Sequence, residues 1–251
     1  MAKTAGMGDN LYIAGYDIGG DTSALGKVSG GPAALDLTSI DQSAYFRLGG
    51  ERDGGIDFTT FHDTATGAEH DALSSLPLTD VIVTYGRGGV IGNPAASLNA
   101  KQVNYDATRG QDGSLTFAVS AVANGFGLEW GVLMTPDRRT DGSATPGSSA
   151  NSFDTGASLA FGAQMYVHLF AFTGTSVTVK LQDSSDNISF ADITGTSLTT
   201  TALTTAHTAV RVTVPNTTTI RRYIAVATVG TFSSADFAVQ VTKNPIAGQV
   251  F

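Results

Sequence analysis

The segment Arg138-Arg139-Thr140-Asp141-Gly142-Ser143-Ala144-Thr145-Pro146-Gly147-Ser148-Ser149-Ala150-Asn151-Ser152 divides the chain into two halves. It is nearly free of apolar side chains and contains both proline and glycine. A segment of this composition buries too little surface to order itself firmly, which is typical of a linker. The sequence therefore predicts two domains, at residues 1–137 and 153–251, joined by a linker at residues 138–152.

The two halves differ in charge. The chain has 14 Lys and Arg against 22 Asp and Glu, a formal net charge of −8. Residues 151–251 contain equal numbers of acidic and basic residues, so the whole excess lies in the first half. A negative chain without clustered Lys and Arg does not wrap nucleic acid tightly, although DNA can pass nearby without sticking.

Composition limits the classes of protein that fit. With 41% apolar residues the chain can build real cores, whereas 14% charged residues is low for a freely soluble monomer and suits close packing between subunits. The absence of cysteine excludes disulfides and thiolate metal sites. Neither an apolar leader nor a run of about 20 apolar residues is visible, so we expect synthesis in a cytoplasm without secretion.

Hydrophobic periodicity predicts a mainly-β first half. The strands are expected at residues 10–13, 33–39, 56–61, 81–85, 98–105, 114–122 and 127–134, with long glycine-rich loops at 14–31 and 40–55. Thr66 and Glu69 have the spacing of a capping box, and Pro77 follows, which predicts one helix at residues 66–76. The glycine pairs in the loops are expected at positions of positive φ.

The second half has short apolar runs separated by turn residues such as Gly174, Gly195 and Gly230. The predicted strands lie at residues 158–172, 176–182, 188–193, 209–214, 221–229 and 235–242. Strands at this spacing are typical of a β-sandwich, of jelly-roll or Ig-like type. The fold class is therefore mainly β, with an N-terminal sandwich or barrel, one flanking helix and a C-terminal sandwich.

The best metal candidates are His62-Asp63 and His70-Asp71, with Glu69 between the two pairs. Zinc needs three or four ligands that converge on one point. His62 precedes the predicted helix and His70 lies inside it, so the i, i+4 geometry of a zinc helix is absent. The sequence predicts no metal site here, with Asp63 at the helix start and His70 on the surface.

Other candidate sites have simpler interpretations. Asp183, Asp186 and Asn187 have the composition of a calcium loop, but Asp and Asn also stabilise hairpin turns, which we favour. Neither a phosphate-binding loop nor a Gly-x-Ser-x-Gly elbow occurs, so we expect no cofactor and no enzyme. The isolated pairs Arg138-Arg139 and Arg221-Arg222 are interpreted as interface or solubility residues. The aromatic residues in or beside the loops mark an interface if they cluster: Tyr12, Tyr16, Tyr45 and Phe46.

Residues 1–140 contain six strings of interest: Gly31-Pro32-Ala33-Ala34-Leu35, Arg52-Asp53-Gly54-Gly55-Ile56-Asp57-Phe58, His70-Asp71-Ala72-Leu73-Ser74-Ser75-Leu76-Pro77, Asn104-Tyr105-Asp106-Ala107-Thr108-Arg109-Gly110, Asp112-Gly113-Ser114-Leu115-Thr116-Phe117 and Gly127-Leu128-Glu129-Trp130-Gly131. These strings resemble the tail tube protein of long, non-contractile-tailed bacteriophages (siphoviruses). The strings of the second half that resemble β-sandwich modules appended to such proteins are Val177-Thr178-Val179-Lys180-Leu181-Gln182-Asp183-Ser184-Ser185-Asp186 and Phe190-Ala191-Asp192-Ile193.

The resemblance implies a virion protein that polymerises with itself. In that family hexameric rings stack into a tube, long loops reach the adjacent ring, and DNA passes through the lumen during ejection without sequence-specific binding. The implied partners are other tail proteins, such as the tape measure and terminator proteins. The C-terminal module would decorate the exterior, where it could contact the host surface.

Asp36 and Asp57 are the candidate lumen-lining residues. Each lies on the polar side of an alternating strand, opposite Leu35 and Leu37 or opposite Ile56 and Phe58. A ring of such carboxylates would repel phosphates and let DNA slide. The alternative for both residues is a position on the exterior or at a subunit contact.

Two other functions fit the all-β pattern. One is a different virion structural protein, such as a capsid decoration or head–tail joining protein. The other is a carbohydrate-binding module, which needs exposed aromatic residues on a sandwich face, whereas the second half contains no Trp.

Overall fold

The computed structural model describes residues 7–194 and 197–246, and the predicted mainly-β fold is confirmed. Every strand pairing in this part of the chain is antiparallel. The strands of the first half are β1 (Asn10–Ile13), β2 (Tyr16–Asp17), β3 (Thr22–Asp36), β4 (Arg47–Phe61), β5 (Val81–Gly86), β6 (Pro94–Gln102), β7 (Asp106–Arg109), β8 (Leu115–Ala123) and β9 (Glu129–Leu133).

The second half is built around two very long strands. Its elements are β10 (Arg139–Asp141), a 3-10 helix (Ser149–Asn151), β11 (Ser152–Asp154), β12 (Ala163–Ser184), β13 (Ala191–Asp192), β14 (Thr208–Thr213) and β15 (Tyr223–Lys243). The strands β12 and β15 pair along almost their full lengths, from Ala163 opposite Lys243 to Ser184 opposite Tyr223.

The turns expected at Gly174 and Gly230 are wrong, because both glycines lie inside these strands. Gly174 has a φ of +157° and Gly230 a φ of +132°. The pairing of β12 with β15 shifts register on both sides of Gly174. Both glycines therefore lie within continuous strands, Gly174 at a ladder irregularity and Gly230 close to one, which is a known position for glycine in strands. The turn predicted at Gly195 lies outside the described residues.

The helix is shorter than the sequence predicts. The element α1 spans Glu69–Leu73, and its N-cap residue is Ala68, without a side-chain cap. The expected capping box at Thr66 is therefore wrong. The carboxylate of Glu69 instead accepts a hydrogen bond from the backbone N–H of Asp63 at 3.1 Å. The helices of the described residues are too short to span a bilayer.

Two main hydrophobic cores follow the two halves. One is formed by residues between Leu11 and Leu128, and the other by residues between Met134 and Val241. One sheet nevertheless connects them, because β9 pairs with β6 on one side and with β15 on the other. A small third cluster of Tyr12, Phe170 and Ala238 also joins the halves. Independent folding of the domains at residues 1–137 and 153–251 stays a prediction.

The segment at residues 138–152 is not a loose connection. Strand β10 pairs with β15, and Thr145 forms a β-bridge with Thr228. Asp141 is buried, and its carboxylate binds the guanidinium of Arg139 at 2.8 Å and accepts a hydrogen bond from the Thr228 hydroxyl. Composition suggested little order because few apolar groups are present. Backbone pairing and charge-assisted hydrogen bonds order the segment instead.

Candidate assembly surface

A two-stranded arm extends from the first half. Strands β3 and β4 pair from Thr22 opposite Thr60 to Asp36 opposite Arg47, whereas β8 pairs with β4 only at Gly55–Phe61. The loops predicted at residues 14–31 and 40–55 are therefore wrong over most of their length, because β3 and β4 form a hairpin there. Residues 31–36 alone carry the arm about 20 Å beyond the sheet, at about 3.4 Å per residue.

Glycines let this arm leave the sheet beside Leu128. A Cβ atom added to Gly30 would collide with the Leu128 side chain, and one added to Gly54 would lie 2.8 Å from the Leu128 backbone nitrogen. Only Gly31, of the glycines at the base and in the strands of the arm, has a positive φ, at +142°. The expectation of positive φ therefore holds at Gly31 and is wrong at Gly30 and Gly54, where the absence of a side chain allows close backbone approach instead.

The distal arm exposes large apolar side chains on both strands and at its tip. They are Leu35, Leu37, Ile40, Tyr45, Phe46 and Leu48, each at least 48% exposed. Leu35 and Leu37 form the apolar side of the predicted alternation opposite Asp36, yet both are exposed. Tyr45 and Phe46 were candidate interface aromatics, and the structure brings them to the tip of the arm. For the four aliphatic residues of this set, the sequence signal was their position in a segment otherwise rich in glycine and aspartate.

This arm is not expected to be stable in an isolated chain in water. A two-stranded hairpin is marginally stable in water, and contiguous exposed apolar side chains mark contact surfaces. Within the described part of the chain, β3 pairs with β4 alone, so its other edge is open for pairing. The arm thus has the features of a segment that becomes buried against another protein.

Asp36 and Asp57 occupy different environments. Asp36 ends β3 on the exposed arm, and hydrogen bonds from the Thr38 side chain and backbone lower the pKa of its carboxyl. Asp57 lies in the middle of β4 between the buried Ile56 and Phe58, and accepts a hydrogen bond from the Ser120 hydroxyl at 2.6 Å. The predicted alternation is present at Asp57, whereas at Asp36 neither face of the strand is buried.

The two arginine pairs bind carboxylates within the chain. Arg139 pairs with Asp141, Arg221 with Asp183 and Arg222 with Asp154. Arg138 binds Asp236 of the second half and lies 3.6 Å from the Asp17 carboxylate of the first half. Arg139 and Arg221 thus bind buried carboxylates of the fold itself, which corrects their interpretation as interface or solubility residues, whereas Arg222 is exposed and its interpretation stays a prediction.

The residues considered for calcium form a turn. Asp183 is buried and its carboxylate accepts hydrogen bonds from the backbone and side chain of Arg221. The Asp186 carboxylate accepts from the backbone N–H groups of Ile188 and Ser189, which lowers the pKa of Asp186 to about 2. Asn187 adopts a φ of +61°, as expected for a turn residue.

Two other aromatic candidates lie at the contact between the halves. Tyr12 is buried against Phe170, with 5.0 Å between ring centroids. Tyr16 stacks on His207 at 4.0 Å. Tyr12 and Tyr16 therefore make contacts within the chain, whereas the sequence had made them candidates for an interface with another protein.

The fold brings together three residues that the sequence left apart. One metal-binding atom from each of His62, Glu69 and His70 lies within 4.8 Å of the other two. His62 Nδ1 is 3.2 Å from Glu69 Oε1, and the rings of His62 and His70 meet edge to face at 5.1 Å. The sequence argument placed His62 before a helix that began at residue 66. In the structure His62 still precedes the helix, but hydrogen bonds from Asp63 and His62 to Glu69 hold it against the first turn.

No protein-family model matches this chain, and no curated protein sequence does. The solved structures that are weakly similar to this chain include two phage proteins. The Dit protein of phage SPP1, described as a paradigm of the hub adsorption apparatus of phages that infect Gram-positive bacteria, shares 12% identity over 93% of this chain and 98% of its own, with a TM-score of 0.31. The activated baseplate of phage p2 shares 10% over 95% and 99%, with a TM-score of 0.32. Similarity at this level identifies neither the fold family nor the function of this chain.

Proposed function

We propose that this chain is a structural protein of a bacteriophage virion that polymerises as stacked, hexameric rings into the tail tube. The observation that carries the proposal is the exposed apolar arm, which extends past the sheet and needs a partner. A second copy of the chain is the partner that the resemblance to tail tube proteins implies. The arm would reach the adjacent ring, as the long loops do in that family.

Charge supports the channel that this model requires. The acidic excess belongs entirely to the half that carries the arm. A negatively charged wall repels phosphates, so DNA passes without being held. In this model no catalytic role or cofactor is needed, the chain is made in the host cytoplasm, and it ends in the virion tail with tape measure and terminator proteins as neighbours. The second half would lie outside the tube, where it can contact the host surface.

Electron microscopy of the purified full-length protein tests the proposal. We expect rings with a central channel that stack into tubes as concentration rises. Closed rings that never stack would point to another virion position, such as head–tail joining. A strictly monomeric protein at high concentration would contradict self-assembly. Binding on a glycan array would favour the carbohydrate-binding alternative.

The lumen assignment has a separate test. If Asp36 and Asp57 face the channel, replacing both with Lys should leave assembly intact and slow DNA ejection from phage, because a basic wall holds phosphates. The matched control is the double change to Asn, which removes the charge and keeps a side chain that can accept the Ser120 hydrogen bond. A tube map with both carboxylates on the exterior would overturn this assignment.

A further inference from the structure

We propose that His62, Glu69 and His70 bind a divalent transition-metal ion, with zinc as the best fit. This goes beyond the structural role proposed above and does not depend on it. It also departs from the sequence-based expectation of no metal site, since that expectation considered only the i, i+4 geometry of a zinc helix. Two imidazoles and one carboxylate are ligands that zinc prefers, and three protein ligands leave one position for water.

Hydrogen bonding fixes the tautomer of His70. The Tyr105 hydroxyl donates to Glu69 Oε2 at 2.8 Å, so its single proton is used. His70 Nδ1, 3.0 Å from that hydroxyl oxygen, must then be the donor to it. The proton of a neutral His70 therefore sits on Nδ1, which leaves Nε2 with a free lone pair. Metal-binding histidines usually donate their other N–H in this way, which fixes the tautomer and the ring.

The spacing of the other two ligands suits zinc. Bonds of about 2.0–2.1 Å in a tetrahedron place ligand atoms about 3.4 Å apart. His62 Nδ1 and Glu69 Oε1 are 3.2 Å apart, so an ion can bind both with little movement. One candidate ligand atom from each of the three residues lies within 4.8 Å of the other two, so His70 has to move closer only by about an ångström or two to complete the set.

Burial gives the ion a role in the local fold. Glu69 is completely buried, whereas the His62 side chain is 29% exposed, so the site opens to solvent on the His62 side. A buried carboxylate is costly unless its charge is compensated. A cation at this point would compensate Glu69 and would connect the end of β4, where Phe61 precedes His62, to α1 and Tyr105.

Metal titration of the tag-free, full-length protein tests the site. After treatment with EDTA and removal of the chelator, we expect saturable binding of one Zn²⁺ per chain by calorimetry and a rise in melting temperature. Co²⁺ should give visible absorption bands of a four- or five-coordinate ion. His62→Ala should abolish both signals and is the safest ligand variant, because His62 is partly exposed.

Tyr105→Phe separates a metal site from a plain hydrogen-bond network. It keeps the three ligands but removes the acceptor of the His70 N–H, so Zn²⁺ affinity should fall by about 10- to 100-fold. His207→Ala, a histidine change outside the cluster, should leave affinity unchanged. The proposal is overturned if the wild type shows no saturable binding, or if His62→Ala binds Zn²⁺ as tightly as the wild type. Either result would leave the cluster as a hydrogen-bond network only.

Discussion

Thr84 and His168 are joined across the two halves of the molecule by a buried hydrogen bond of 2.9 Å between Thr84 Oγ1 and His168 Nε2. The backbone N–H of Gly15 donates to His168 Nδ1 at 3.3 Å, so the neutral imidazole carries its proton on Nε2 and donates to Thr84. Thr84 in turn is hydrogen-bonded to Ser97 at 2.8 Å. A β5 residue of the first half and a β12 residue of the second therefore share one buried polar network.

This buried imidazole should make stability depend on pH. Burial lowers the pKa of His168 from 6.5 to about 3. Below pH 6.5 the unfolded chain takes up a proton that the folded chain does not, so the free energy of unfolding should fall as pH decreases towards 3. The slope from this group is at most about 1.4 kcal/mol per pH unit. Urea unfolding of the wild type and of His168→Gln at several pH values measures this slope. If the difference in unfolding free energy between the two proteins stays constant from pH 6.5 to 3, the prediction is refuted.

The tip of the arm should be needed for assembly and not for folding. Replacing Ile40, Tyr45 and Phe46 with Ser removes exposed apolar surface, so the stability of the single chain should change by less than about 0.5 kcal/mol per site. Assembly should be lost, as measured by sedimentation velocity and electron microscopy. Leu78→Ser with Ile188→Ser is the matched control, since these side chains are 94% and 81% exposed elsewhere. Equal assembly of the two variants would count against the arm as the contact surface.

The buried ion pair between Arg211 and Glu129 should stabilise the contact between the halves. Their side chains meet at 2.6 Å, Glu129 is fully buried, and burial raises the pKa of Glu129 although Arg211 opposes that shift. Arg211→Met would remove the guanidinium that pairs directly with this buried carboxylate and should cost about 3–5 kcal/mol of unfolding free energy. Adding Glu129→Gln should recover part of this loss. Denaturant unfolding of both single variants and the double variant measures the coupling, and strict additivity would show that the pair does not interact.

Gly131 should be required where β9 meets β15. A Cβ atom there would collide with the carbonyl oxygen of Val241 and with the Gln240 side chain. Gly131→Ala should therefore destabilise the protein by about 1–3 kcal/mol, as overpacking usually does. In Gly55→Ala, the control, the new Cβ would lie 3.5 Å from the Ala121 carbonyl oxygen, an ordinary contact. Thermal unfolding gives the melting temperatures of the two variants. Equal melting temperatures would mean that β9 and β15 are not closely packed at Gly131.

The sequence predicted those strands whose pattern comes from a buried core. Val81–Gly86 and Leu115–Ala123 were placed almost to the residue, because a continuous apolar run and a strict alternation are both consequences of burial. The arm strands were missed because they are glycine-rich and cover no core. The lengths of β12 and β15 were missed because Gly174 and Gly230 bend a strand with the same residue that usually ends one.

The candidate sites were harder to predict because they depend on contacts distant in sequence. Nothing around His168 signals that Gly15 and Thr84 enclose it. The sequence contains no signal that Tyr105 is hydrogen-bonded to His70, because this contact depends on the pairing of β7 with β8. For Tyr45 and Phe46 the sequence did provide a signal, because two large aromatics in a polar segment without a core are unusual.

The position of β9 between β6 and β15 has a consequence for synthesis on the ribosome. One edge of β9 is covered by β15, through Gln240 and Val241. These residues are synthesised well after β9, because β12 and β14 lie between the two strands in the chain. Nascent chains fold from the N-terminus, so the first half emerges with that edge unpaired until β15 has been translated. Since an open strand edge is a template for aggregation, premature termination within the second half should yield insoluble fragments.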